Sequence, residues 1–103
     1  SEPVVPAEMY QQCLLVGTDV QGAMRVLDAL PPINRAVLKY LVKFLQIIGE
    51  PQNQMATKMT IGNLAMVFAP NILRCPANNP LIILANSKFE QSFLKTLINY
   101  LDD

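Results

Sequence analysis

The chain has 103 residues, of which 51% are hydrophobic, 7% aromatic and 16% charged, a balance that fits one small globular domain or a piece of one and is too short for two. Eight lysines and arginines offset eight aspartates and glutamates, for a formal net charge of +0, which leaves a weak long-range field and no basic footprint for nucleic acid. No apolar run reaches the roughly 18 residues of a membrane span, and Ser1–Met9 has no basic leader before an apolar stretch, so a soluble, cytoplasmic protein is expected.

The chain has no histidine, and its two cysteines, Cys13 and Cys75, lack C-x-x-C spacing. A zinc cluster or a histidine-based triad therefore cannot be assembled, and both thiols read as free. Glu8, Asp28 and Glu50 are dispersed and make no carboxylate pair for acid–base work. No metal, cofactor or catalytic residue is expected. A domain of this length buries only about two-thirds of its unfolded surface, so some of its apolar surface is expected to belong against a missing half.

Pro3 and Pro6 bracket an extended entry, and Pro6 is suited to open a helix through residues 7–15 that Gly17 ends. Thr18 or Asp19 can cap a second helix, in which Val20, Met24, Val26, Leu27 and Leu30 recur at three- to four-residue spacing. Pro31-Pro32 stops it. Asn34 is then the expected N-cap of the strongest helix, Arg35 to Ile48. Val37, Leu38, Leu41, Phe44, Leu45 and Ile48 stripe one face, and Gly49 marks its end. Val42 and Ile47 widen that stripe, which predicts a central helix touching more than one neighbour.

A polar loop is expected over residues 50–54. Thr60 can cap a short helix, Ile61 to Phe68, that Pro70 terminates, and residues 71–79 read as loop. Pro80 opens a last helical stretch with a break near Asn86-Ser87, and Phe89, Phe93, Leu94, Leu97, Ile98 and Leu101 line one side. Leu64, Val67, Phe68, Phe44 and Leu45 are expected in the core, with Met55, Met59 and Met66 as gap-fillers. No alternating strand pattern competes, and no repeat is present. The fold class is all-α, a helical bundle.

Three stretches carry a family likeness: Glu2-Pro3-Val4-Val5-Pro6, Leu30-Pro31-Pro32-Ile33-Asn34-Arg35-Ala36-Val37-Leu38, and the long run Lys58-Met59-Thr60-Ile61-Gly62-Asn63-Leu64-Ala65-Met66-Val67-Phe68-Ala69-Pro70-Asn71-Ile72-Leu73. In order and spacing they resemble the RhoGAP domain, which shows E-P-L-I-P, then L-P-x-x-N-R-x-x-L, then N-K-M-x-x-x-N-L-A-x-V-F-(G or A)-P-N-L-L. The third run mixes apolar, polar and proline positions in a fixed order and is the specific one. Its wording, with Tyr10-Gln11-Gln12-Cys13, is also similar to RhoGAP domains that follow MyTH4 domains. The resemblance spans nearly the whole chain, yet such a domain runs to roughly 150–200 residues. Residues 1–103 are accordingly expected to be its C-terminal part. The front, where the family keeps G-x-(F or Y)-R-x-x-G with a catalytic arginine, has no counterpart in this sequence.

The resemblance implies a Rho-family small GTPase as partner and stimulation of GTP hydrolysis as the function of the whole domain. Without the arginine, which supplies roughly 10³–10⁵ of the rate, the 103-residue chain alone is expected to dock and not to catalyse. The rival readings are a non-catalytic Rho-GTPase binder and a helical interaction module, and the surface left by the absent front is expected to be open to self-association. Asn71, following Pro70, carries the family's GTPase-contacting role; a local turn that satisfies its own backbone is the plainer reading. Lys58 either meets a GTPase acid or stays a solvated charge, and Thr57 stands where the family usually has Asn. Asn63 is expected to be structural, a buried amide tying two helices. Arg35, at the unfavourable end of a helix for a cation, is expected to be held by a carboxylate within the fold.

Overall fold

The computed structural model describes residues 3–102, apart from the side chains of Gln54 and Thr57; Glu2 of the first motif lies outside the described residues. After a 3-10 turn over Ala7–Met9 come six α-helices: α1 Tyr10–Val16, α2 Val20–Ala29, α3 Pro32–Ile48, α4 Pro51–Thr57, α5 Ile61–Ile72 and α6 Pro80–Tyr100. No strand occurs among them, so the all-α expectation holds.

The helices are organised by α6, which packs against α1, α2, α3 and α5. Its buried row of Phe93, Leu94, Leu97 and Ile98 meets Cys13 and Leu14 of α1, Ala23, Val26 and Leu27 of α2, Leu38, Val42 and Leu45 of α3, and Leu64, Ala65, Ala69 and Ile72 of α5 in one core. Each such aliphatic contributes roughly 1.5–3 kcal/mol by leaving water. Gln46 on α3 ties the two C-terminal ends together by donating to the carbonyls of Ile98 and Leu101 at 3.1 and 2.8 Å.

Helix boundaries follow local chemistry. Gly17, at φ 44, turns the chain out of α1 as its N–H closes on the Cys13 carbonyl in a conformation that other residues resist. Gly22 lets α2 approach α1, because a Cβ there would stand 2.9 Å from Val16 Cγ1.

Several boundaries differ from the sequence reading. Helix α3 begins at Pro32, not Arg35: Pro31 is the N-cap and the second proline occupies the first helical position, where a missing N–H costs nothing. Asn34 is therefore not the cap, and its amide instead donates 2.9 Å to the Val4 carbonyl, fastening the N-terminal segment. The expected polar loop at 50–54 runs into α4. Pro51 starts that helix, and Asn53 donates to the Ile47 carbonyl at 2.6 Å, satisfying the end of α3. Helix α5 continues through Pro70 to Ile72, since burial of Ile72 and Leu73 and the 2.7 Å bond from Leu73 N to the Ala69 carbonyl outweigh one lost N–H. Helix α6 is unbroken at Asn86-Ser87 because those side chains bond elsewhere, Asn86 to Cys75 Sγ and Ser87 to Gln91.

The core list also changes. Leu45 and Leu64 are buried and Phe68 packs beside them, but Phe44 and Val67 face solvent, as do Met55 and Met66; among the three methionines only Met59 fills a gap. On α3 the packed face is Leu38, Val42 and Leu45, while a second apolar row, Ile33, Val37, Tyr40, Phe44 and Ile47, is exposed, with Ile33 at 78% and Tyr40 at 75%.

Between α1 and α6 lies a buried polar pair that periodicity does not announce. Tyr10 donates its hydroxyl to the Glu90 carboxylate, both groups being almost fully buried. Burial pushes the Glu90 carboxyl above the usual carboxylate range, opposed by the Tyr10 hydrogen bond. Burial, with Glu90 alongside, likewise raises the Tyr10 phenol, which stays protonated. The native state thus binds the Glu90 proton more tightly than the unfolded chain does. Stability falls as pH rises from the ordinary glutamate value through the raised one. Chemical denaturation across that window should show the decline in the wild type and a flatter profile in Glu90→Gln, whereas Tyr10→Phe, which strips the carboxylate of its donor, should cost about 1–3 kcal/mol.

Candidate functional site

Helix α5 carries most of the third motif. Thr60 caps it: the hydroxyl accepts from Asn63 N at 3.1 Å and fixes the first turn. Two residues earlier Lys58 is exposed and adopts φ 60, the left-handed region a lysine seldom occupies. Inward-facing Leu64, Ala65, Ala69 and Ile72 anchor the helix in the core. The solvent face then falls on Gly62, Asn63, Met66, Val67, Pro70 and Asn71, pairs of residues repeating every four.

Pro70 and Asn71 are both exposed in the last turn, adjacent as the sequence reading requires. The Asn71 amide reaches back 3.4 Å to the Val67 carbonyl, a long bond close to the limit of a useful one, so little energy is lost in redirecting it. Its carboxamide oxygen is an acceptor suited to a partner's N–H. Lys58 is not brought beside them. The twelve residues of α5 set it about 18 Å away along the helix axis. The site is thus an elongated face, a polar amide near each end and the thioether and isopropyl groups of Met66 and Val67 between, 53% and 50% exposed.

Asn63 is exposed, so it is not the buried amide expected; its backbone N–H, not its side chain, does the local structural work. Arg35 is held by a backbone carbonyl and not by a carboxylate. Its Nη1 donates 2.8 Å to the Asp28 oxygen, putting the cation at the C-terminal end of α2, where the helix dipole favours it. Met66 and Val67 are what the sequence reading missed at this face. Their phase with Asn63 and Asn71, opposite Ala65 and Ala69, was the available signal. Cys13 is fully buried with its thiol pushed up to about 12 by desolvation, which makes it inert packing. Among the described residues no group of acids and cysteines could hold a metal ion, and no helix is long and apolar enough to cross a membrane.

The family model described as "RhoGAP domain" matches residues 1–77, which takes in all three motifs, α5 and its exposed face. The chain belongs to the RhoGAP domain family. Among relatives, the GTPase activating protein homolog 2 of Dictyostelium discoideum is 41% identical over 95 residues, covering 92% of this chain and 10% of that protein. The Rho GTPase-activating protein 24 of Mus musculus is 33% identical, covering 95% of this chain and 14% of its own length. The RhoGAP chain therefore spans only a small part of these relatives. The crystal structure of the BH domain from GRAF, the GTPase regulator associated with focal adhesion kinase, superposes with a TM-score of 0.82 at 22% identity, over 95% of this chain and 54% of that one, and shares its helical fold.

The capping assignment separates the two polar residues at the start of α5. Thr60→Ala should lower stability by about 1 kcal/mol, and Asn63→Ala should change it by less than about 0.5 kcal/mol, as for an ordinary surface site. Paired thermal melts measure both.

Proposed function

We propose that this chain is the docking part of a GTPase-activating domain. It binds a GTP-loaded Rho-family GTPase through the exposed face of α5, with Asn71, Pro70 and Lys58 in contact, and acceleration of hydrolysis depends on an arginine from a segment N-terminal to Ser1. The observation that carries this reading is the motif of residues 58–73: the outward residues of α5 form one uncharged face with an amide near each end, and exposed Lys58 stands ahead of it. The GTPase-activating names of the relatives support the partner class. A cytoplasmic location belongs to the same proposal.

Support for the division of labour comes from the arginines and from α3. Arg25 lies within α2, Arg35 is committed to the Asp28 carbonyl, and Arg74 follows α5, so none stands in a glycine-bracketed loop. Stabilising charge on the transferring phosphoryl group is the main catalytic task in this chemistry. A helix apolar on two faces, like α3, is ordinarily buried on both. In our reading the upstream segment covers Ile33, Tyr40 and Phe44 and carries the arginine to the same GTPase.

Single-turnover GTP hydrolysis across a titration of the activator separates rate at saturation from half-saturating concentration. The 103-residue chain should barely raise the rate, and the chain extended upstream should raise it by orders of magnitude. Asn71→Ala in the extended form should weaken binding by about 1–3 kcal/mol, while replacing the upstream arginine should depress the saturated rate with a much smaller effect on affinity. Full activity from the short chain would overturn the division of labour, and an unchanged half-saturation in Asn71→Ala would remove that residue from the site.

A further inference from the structure

Pro70 stands inside α5 and does not end it, since the helix runs on to Ile72. A stop signal therefore does not explain it. A proline has no N–H to give the carbonyl four residues earlier, and its ring crowds that oxygen. In α5 that carbonyl belongs to Met66. The nearest other donors are committed elsewhere: the Asn71 amide reaches the Val67 carbonyl at 3.4 Å, and Leu73 N bonds the Ala69 carbonyl at 2.7 Å. Nor can the end of the helix unwind to close the gap. Ile72 and Leu73 are buried just beyond Pro70, and the Ile72 carbonyl accepts from Val5 N at 3.2 Å. Met66 and Pro70 are both exposed, so the oxygen left over lies between two outward residues of α5, where water satisfies it until a partner arrives.

We infer that the Met66 main-chain carbonyl is a second acceptor of the proposed docking face, held open by Pro70 for a neutral N–H of the GTPase, beside the Asn71 carboxamide oxygen. The inference rests on the docking reading above and deepens it: Pro70 acts through the backbone of Met66, as a positioning residue. Asn71 follows Pro70 directly, so the two acceptors share the last turns of one helix and can meet two donors of one partner segment. The donor is neutral because none of the outward residues of α5 is acidic. A cation docked here would lose its water with no carboxylate to compensate it, whereas an amide N–H exchanges one hydrogen bond for another. The side chains of Met66 and Val67 flank the site, 53% and 50% exposed, and on docking they exclude the water that would otherwise compete for the oxygen. An interior proline is the least favourable residue for a helix, and the open carbonyl is what it provides in return.

Calorimetric titration of the 103-residue chain with a Rho-type GTPase loaded with a non-hydrolysable GTP analogue tests this. Pro70→Ala restores the N–H and closes the Met66 carbonyl. It should bind about tenfold more weakly even as its thermal midpoint rises, because alanine suits a helix interior better than proline. A chain with N-methylalanine at position 70, joined from synthetic residues 1–74 and 75–103 at Cys75, has neither the ring nor the N–H. It should bind within about twofold of wild type. An isotope label on the Met66 carbonyl should move to lower infrared frequency when the complex forms. Equal weakening by alanine and N-methylalanine would assign the contact to the proline ring, and wild-type affinity in Pro70→Ala would leave the carbonyl idle. Either result, with Asn71→Ala still weakening binding, overturns the inference and leaves the docking reading intact. An unshifted Met66 band in the complex overturns it as well. Absence of binding by the wild-type chain would overturn both.

Discussion

The structure depends on the burial of one side of α6. Phe93, Leu94, Leu97 and Ile98 form the row on which α1, α2, α3 and α5 all settle, so the phase of that helix sets the orientation of those four. Tyr10 locks α1 to it by a buried hydrogen bond to Glu90, and the Thr96 hydroxyl lies 2.9 Å from the Gly17 carbonyl at the other end of α1. An ionisable side chain is costly to bury unless it is satisfied. The Tyr10–Glu90 pair therefore fixes the register of α1 more sharply than apolar contacts could.

The proposed docking face, the outward side of α5, is a consequence of that arrangement. Ala65 and Ala69 are small and fully buried, so the backbone of α5 comes close to the core and the opposite residues stand out on a rigid support. The end of α5 near Asn71 is secured twice, by the Ile72 carbonyl accepting from Val5 N at 3.2 Å and by Leu73 buried just beyond it. Asn34 in turn holds Val4, so the second motif supports the first and the first supports the third. This chain of contacts gives a physical reason for three separated motifs to occur together in one family. A site on a packed helix is also better positioned than one on a loop.

Much of this was legible in the amino-acid sequence. Thr60 as a cap, Pro80 as a helix start and the apolar row of α6 follow from residue type and spacing, and the third motif pointed to the family. The failures arise where tertiary contacts decide what a local signal leaves open or misstates. Pro70 reads as a helix stop because it lacks an N–H, but Ile72 and Leu73 gain enough by burial to carry the helix past it. Asn34 reads as a cap and is diverted to Val4. Phe44 and Val67 read as core from their spacing, yet the core lies on the other side of each helix, and apolar character alone does not fix the phase. Glu90 sits in a helix of mixed polarity and gives no sign of its buried partner 80 residues away.

The central claim is that the outward face of α5 meets the GTPase. Amide hydrogen exchange of the 103-residue chain, with and without a Rho-type GTPase bound to a non-hydrolysable GTP analogue, tests it most directly. The account predicts new protection concentrated over residues 58–74, with the α1–α2 hairpin at residues 10–29 unchanged. Protection confined to the α1–α2 hairpin, or to α3 with α5 left as before, would contradict it.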